Sequence, residues 1–304
     1  MNILYISAIN DRRKAGLFYA TINRLIELNK IKRAYDSFDF ISIIYIDSLL
    51  FRFFKKVLRK PINIFPSNKS TVTYQDILIN YIIVKRSFLN LVLEFFIKNY
   101  KERLILKKIG KIVVFEHYDL LHIHWIYPPG YIGYLIKKRF NIPYILTAHG
   151  SDILFHPFKS NRIKRKTEKA LNNAAIACFV SNSLLEFAKV NLYFINSFYK
   201  ITPNGINSGF FENDGPIIKK DNTAHIKTIG FIGNLEWVKG ADRLPTIFSI
   251  LHKYNPKVKF LIIGDGTYKT KLKKEFSLAK INVGFIDHLS QKELINYFEQ
   301  LDVT

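Results

Sequence analysis

Asp119-Leu120-Leu121-His122-Ile123-His124-Trp125 is a short apolar run whose period of two puts His122 and His124 on one side of a strand. Downstream, Tyr144-Ile145-Leu146-Thr147-Ala148-His149-Gly150-Ser151-Asp152 is a second strand that ends in histidine, glycine and two polar residues. Residues 130–140 between them have helical character, which makes a βαβ unit of a parallel sheet. The C-terminal strand ends of such a sheet line its ligand crevice, where a histidine can donate to phosphate or to a hydroxyl. No cysteine or acidic cluster completes a metal ligand set around them. Taken alone, the histidines read equally well as packed residues. His149 to Asp152 likewise reads as a strand-to-loop turn, with Gly150 permissive and Ser151 or Asp152 a cap.

The same alternation extends outward in both directions. Strands are expected at about Asn2–Ser7, Phe38–Tyr45, Ala175–Val180 and Lys200–Thr202, and helices at Leu17–Lys30, Arg162–Ala174 and Ser183–Val190, the last capped by Ser181 or Ser183. Residues 49–116 are less regular and read mostly as helices inserted between strands. Residues 1–210 thus form one doubly wound domain, and the polar stretch at 211–225, with Gly215 and Pro216, reads as a linker. A second α/β domain occupies 226–304. It has strands at Lys227–Gly233, Val258–Ile263 and Asn282–Phe285, helices at Ala241–Tyr254, Tyr268–Leu278 and Gln291–Leu301, and Asp302-Val303-Thr304 opening a further strand.

A chain of 304 residues, 48% hydrophobic and 23% charged, suits a globular protein of about two domains and excludes disorder or a disulfide mini-scaffold. The formal charge of +22 calls for an anionic partner: nucleic acid, an acidic lipid surface or a phosphorylated substrate. The single Cys178 lies in an apolar run and packs as a small apolar residue, in keeping with a reducing compartment. No apolar stretch escapes interruption by charges such as Asp47, Lys85, Glu94 and Lys98, so no membrane-spanning helix is expected. The N-terminus enters a strand at once, without the features of a signal peptide, which predicts a cytoplasmic protein. Two runs, Leu49 to Lys60 and Phe95 to Lys108, interleave bulky apolar and cationic residues and are expected to dock on the anionic inner face of a membrane. Nucleic acid is disfavoured, because the aromatic residues fall within apolar core patterns and no recognised binding motif is present.

Two more strand-end turns follow, the first of which reads by itself as a structural Pro/Asn-Gly turn and the second as a phosphate-binding candidate. Thr202-Pro203-Asn204-Gly205-Ile206 closes the last strand of the first domain. Gly230-Phe231-Ile232-Gly233-Asn234-Leu235-Glu236-Trp237-Val238-Lys239-Gly240 sets glycines and a lysine between strand and helix, where amides and an ammonium can hold phosphates. It is not a Walker loop, since Ala241 follows Gly240. Phe260-Leu261-Ile262-Ile263-Gly264-Asp265-Gly266 repeats the strand-to-glycine arrangement. In this order the motifs resemble the retaining glycosyltransferases of family 4, and the resemblance runs the length of the chain, weakest between Leu49 and Glu116.

The resemblance implies a GT-B fold of two Rossmann-like domains, with acceptor on the first and nucleotide-sugar donor on the second. His124 then matches the family histidine near the donor sugar and its diphosphate, the catalytic candidate, and His149 the histidine on the neighbouring loop. Gly16, His149 and Asp152 fall at the acceptor or cleft loop. Gly233, Asn234 and Lys239 match the diphosphate-binding segment, and the backbone at Phe285 and Ile286 receives the nucleotide base. No cofactor is implied beyond the nucleotide-diphosphate sugar as co-substrate, and no metal. Three departures stand out: Asn234 occupies the place of an arginine, Gly16 stands alone where the family has paired glycines, and the sequence stops before two glutamates that follow the Asp-Val strand. The last departure leads us to expect an incomplete second domain and, for this stretch alone, weak nucleotide binding and no turnover. The expected function is sugar transfer from a nucleotide-diphosphate sugar to a glycan or lipid-linked acceptor, in polysaccharide assembly. A catalytically inactive module that binds anionic lipid or glycan is the alternative.

Overall fold

The structure, a computed structural model, describes residues 1–10, 16–33, 36–59, 62–64, 70–205, 227–289, 291–298 and 300–304. The chain divides into two units, Met1–Gly205 and Ile206–Thr304. The expected linker at 211–225 lies outside the described residues.

In chain order the first unit runs β1 (Asn2–Ser7), α1 (Gly16–Ile31), β2 (Ser37–Asp47), α2 (Leu49–Val57), β3 (Thr71–Tyr74), β4 (Ile77–Arg86), α3 (Phe88–Phe96), α4 (Tyr100–Ile109), β5 (Leu120–His124), α5 (Tyr131–Phe140), β6 (Tyr144–Ala148), α6 (Ser151–Leu154), α7 (Asn161–Asn173), β7 (Ile176–Phe179), α8 (Asn182–Asn191) and β8 (Tyr199–Ile201). The strands form one sheet in the order β3-β4-β2-β1-β5-β6-β7-β8. Every pairing is parallel except β3 with β4. The chain leaves β1 toward β2 but leaves β5 toward β6, on the opposite side. The switch point of the doubly wound sheet therefore falls between β1 and β5, at the strand ends Ser7 and His124.

Alternation along β1 divides the core. Leu4 and Ile6 join the cluster under α5, α7 and α8, whereas Ile3 and Tyr5 join Phe18, Ile22 and Leu25 of α1 on the other face. Serines start the helices where the sequence places them. Ser48, Ser160 and Ser181 each accept a backbone N–H from the first turn, the last from Leu184 at 3.2 Å.

The expectation of helices between strands across 49–116 needs correcting. α2, α3 and α4 are there, but β3 and β4 form a hairpin at the sheet edge, and β4 pairs with β2 from Ile79 to Arg86. The hairpin turns through Gln75 and Asp76, both with positive φ (43° and 65°), as a two-residue primed turn requires. Neither residue gives the Asn-Gly or Asp-Gly signal that advertises such a turn.

The second unit contains β9 (Thr228–Ile232), α9 (Leu244–Tyr254), β10 (Lys259–Ile263), α10 (Lys269–Leu278), β11 (Val283–Ile286) and α11 (Gln291–Phe298). Its parallel sheet has the order β11-β10-β9 over a core of Leu244, Phe248, Phe260, Ile262, Leu272 and Phe276. Val303 bridges to Ile229 in parallel, so Asp302-Val303 does begin to add along β9. Gly233 and Gly264 follow adjacent strands and meet backbone to backbone. Gly264 has φ +145°, and a Cβ there would sit 2.0 Å from the Gly233 carbonyl oxygen. Gly264→Ala should therefore destabilise this unit by at least about 1–3 kcal/mol. The check is amide hydrogen exchange in β9 and β10, which should accelerate at least about tenfold, and unchanged protection contradicts the contact.

Candidate functional site

β5 pairs with β1 so that His122 stands beside Tyr5, and with β6 so that His124 stands beside Thr147. The result is a column of rings at the switch point. Centroid separations are 4.8 Å for Tyr5–His122, 4.7 Å for His122–His124 and 5.2 Å for His124–His149. His124 is wholly buried, and its Nδ1 lies 3.0 Å from His149 Nε2. One of those nitrogens donates and the other accepts. The two outer nitrogens, His124 Nε2 and His149 Nδ1, are then one N–H and one lone pair, and both are buried without a partner. Thr147 Oγ1 lies 3.5 Å from His122 Nε2, at the limit of a hydrogen bond.

Burial holds all three rings neutral. It draws His122 down to about 3 and His149 to about 4, and His124 well below its usual range. The half-buried Arg24 of α1 pushes each of them further the same way. Sequence reading missed Arg24 and Tyr5. The signal for Arg24 was its place on α1 beside buried Thr21 and Leu25.

Asp152 fixes the loops. Fully buried at the start of α6, it accepts the backbone N–H groups of His149 (3.0 Å), Gly150 (2.8 Å) and Ile126 (3.2 Å). Burial pushes its carboxyl up to about 6 against those donors, so it is mostly ionised at neutral pH. Its oxygens are committed to backbone, which makes it a positioning residue for the loops after β5 and β6. Trp125, between His124 and Ile126, has φ +84°, a strained backbone for a large side chain.

Gly16 is the exposed first residue of α1, and residues 11–15 before it lie outside the described ones. In the second unit Asn234 and Lys239 are exposed on the loop that follows β9, and Lys239 has no ion pair among the described residues. Glu236 ties that loop to the next one, accepting from Thr267 N (3.1 Å) and Thr267 Oγ1 (2.8 Å). The Phe285 ring packs toward Phe276 of the core, and the Ile286 carbonyl accepts Gly264 N at 3.0 Å, so much of this segment serves the sheet. Among the described residues no three His, Cys, Asp or Glu are grouped to hold a metal ion.

The fold and these strand-end loops define an α/β protein of the GT-B type, with two Rossmann-like parallel-sheet units, the second small. Residues 88–183, which carry the histidines, match the family Glycosyl transferase 4-like, and residues 217–304, which carry Lys239, match Glycosyl transferases group 1. The chain is 31% identical over 193 residues to an uncharacterized glycosyltransferase of Methanocaldococcus jannaschii, 61% of this chain and 47% of that protein. It is 29% identical over 163 residues to the putative teichuronic acid biosynthesis glycosyltransferase TuaC of Bacillus subtilis, 51% of this chain and 39% of that protein. These matches span less than half the length of either relative. Among solved structures it is similar to Anabaena HepE in complex with UDP (TM-score 0.62, 15% identity, 100% of this chain and 73% of that one). It is also similar to a sucrose-phosphate synthase of Thermosynechococcus elongatus (TM-score 0.68, 12% identity, 99% and 74%).

The buried histidines make stability depend on pH. His122 and His149 take up protons near 3 and 4 when folded but near 6.5 when unfolded, so between pH 6.5 and about 4 the unfolded chain binds more protons. Stability therefore falls as pH drops through that window, by about 1.4 kcal/mol per unit for each such histidine. Asp152, raised to about 6, acts in the opposite sense, but it is one group against several. Urea unfolding of the first unit should show a lower free energy at pH 5 than at pH 7, with a shallower slope in His122→Phe. Equal stability at the two pH values would contradict neutral burial.

Proposed function

We propose that the protein is a glycosyltransferase that moves a hexose from a nucleotide-diphosphate sugar to a glycan or lipid-linked acceptor with retention of configuration, in cell-surface polysaccharide assembly. The observation that carries the reading is that two glycosyltransferase families match successive stretches, one holding the paired histidines and the other the Lys239 loop. The relative TuaC supports the polysaccharide setting, and the structures of HepE with UDP and with UDP-glucose support a nucleotide-sugar donor. In this reading the second unit takes the nucleotide: Lys239 and the backbone around Gly233 and Asn234 meet the diphosphate, and the segment at Phe285 and Ile286 meets the base. The first unit takes the acceptor, and His124 is the catalytic candidate on it. The dominant effect is electrostatic stabilisation of the charge that develops on that diphosphate.

Radiolabelled UDP-, GDP- and ADP-sugars incubated with the protein and lipid-extracted acceptors test the reading. In a chain that also carries the family's two glutamates, transfer with retained anomeric configuration is expected from one donor, and His124→Ala should lower its rate at least about tenfold at a temperature where urea unfolding shows the variant still folded. Transfer from none of the donors, or equal transfer by the variant, would count against it.

The same reading places the first unit on the inner face of the membrane. α2 and α3 meet edge to face through Phe51, Phe54 and Phe88, at 5.2 and 5.0 Å, and their other faces are bare. Phe53 is 63% exposed and Phe95 81%, with Leu50, Val57, Leu89 and Val92 also exposed. Lys56, Arg59 and Lys98 flank them in solvent, whereas Lys55 is drawn inward to Asp47 at 2.9 Å. Apolar residues rimmed by cations match an anionic bilayer, each basic residue contributing about 1 kcal/mol. No helix of the described residues is long and apolar enough to span one. Vesicles containing phosphatidylglycerol should sediment the protein, less so in high salt and less still with Lys56, Arg59 and Lys98 changed to Ser. Equal binding to neutral vesicles removes the membrane from the proposal.

A further inference from the structure

A cavity of about 330 Å³ opens at the C-terminal ends of β2 and β4, within the first unit and walled partly by α2 and α3. Two cations border it over one ring: Arg86 Cζ lies 5.0 Å and Lys101 Nζ 5.5 Å from the centroid of Tyr45, and Lys101 also lies 5.1 Å from that of Tyr127. Among the described residues neither side chain is in an ion pair. The neighbouring carboxylates each have one oxygen engaged and one, Glu102 Oε2 and Asp47 Oδ1, buried without a partner. Glu102 Oε1 takes both Lys166 Nζ and the Tyr127 hydroxyl at 2.7 Å, and Asp47 takes Lys55. Glu94 is the one carboxylate that lines the cavity, against Lys55, Lys85, Arg86 and Lys101. The Tyr45 hydroxyl is buried with no partner. Burial pulls the Lys101 ammonium toward neutrality, with Arg86 and Arg162 adding to that and Glu94 and Glu102 opposing it. Two cations that share one ring and no ion pair, in a cavity lined by several cations and one carboxylate, leave it net positive beside a buried, unpartnered hydroxyl.

We propose that this cavity binds the phosphate group of the acceptor, with Arg86 and Lys101 on its oxygens and the Tyr45 hydroxyl donating to it. A dianionic phosphate matches two cations, and guanidinium and ammonium are both phosphate donors. The volume suits a phosphate with one attached sugar. Because α2 and α3 wall the cavity and carry the bare apolar faces, the dianionic phosphate can instead be that of a lipid monophosphate without an attached sugar, whose tail stays in the bilayer. The inference rests on the sugar-transfer reading for the word acceptor, but the anion site stands on its own residues.

The test titrates the full chain with glucose 1-phosphate by calorimetry, and sediments it with neutral phosphatidylcholine vesicles with and without a polyprenyl phosphate. Wild type, Arg86→Gln and Lys101→Met are compared, with UDP binding measured on the same samples. Each variant should weaken phosphate binding at least about tenfold while UDP binding stays unchanged. Lys101→Met should hold or raise the melting temperature, since it removes an unpaired buried charge. Binding of the soluble sugar phosphate identifies a free phosphosugar, and binding confined to the doped vesicles identifies a lipid source; either supports the site. Binding of neither probe, or binding that both variants leave intact, overturns it. Loss of UDP binding with phosphate binding retained counts against the glycosyltransferase reading alone.

Discussion

The loops that carry the histidines depend on one buried carboxylate. Asp152 has no exposure, and an ionised group so placed is tolerable only where hydrogen bonds replace its water. Three backbone N–H groups from two loops do so. Because they belong to Ile126, His149 and Gly150, the same carboxylate sets the path after β5, including the positive φ of Trp125, and aims the main chain of His149. The second unit solves the equivalent problem with Glu236, whose two oxygens tie Thr267 of the loop after β10 to the loop after β9. In both units a carboxylate joins successive strand-end loops, adding to backbone bonds such as Trp125 N to the Thr147 carbonyl and Leu235 N to the Asp265 carbonyl.

A second buried charge acts on a larger scale. Glu102 of α4 pairs with Lys166 of α7 and accepts from Tyr127 of the loop after β5, both at 2.7 Å. Removing one partner of such a pair leaves the other uncompensated and typically costs about 3–5 kcal/mol, more than the pair gains over an apolar replacement. The pair joins α4, α7 and the loop after β5 through one carboxylate, beside the Lys101 and Lys166 ammonium groups over the Tyr127 ring. The same network directs Glu102 Oε1 to Lys166 and Tyr127, and Lys101 beside it is in no ion pair among the described residues, with Glu94 and Glu102 acting on it only at longer range.

Much of the fold was legible. β1, β2, the strands of the first sheet from β5 onward and the three strands of the second were visible because parallel strands buried on both faces read as apolar runs of fixed short length. The hairpin of β3 and β4 was not, because its turn is made by Gln75 and Asp76 and its apolar residues resemble those of the helices around it. The shared side of His122 and His124 followed from period two, and the structure bears it out as a ring stack at 4.7 Å. The hydrogen bond between His124 and His149 was illegible, since it joins strands 25 residues apart through loop geometry that Asp152 dictates. Arg24 and the cavity at Tyr45 were hidden for the same reason. Their groups come from separate elements, and no local pattern marks which of many cations end without a partner.

The neutrality of the histidines gives the column its chemical character. An imidazolium in this stack would face Arg24 and a second histidine in a medium of low polarity, so burial and charge act together to exclude the proton. Two neutral imidazoles joined by one hydrogen bond have a polarity: if His124 Nδ1 donates, then His124 Nε2 accepts and His149 Nδ1 donates, and reversing the bond reverses both ends. A group that accepts at His124 Nε2 thereby fixes His149 Nδ1 as an acceptor, without any net charge moving into the core. The pair transmits the hydrogen-bonding demand of one end to the other, and it does so because Asp152 holds the loop of His149 within 3.0 Å of His124.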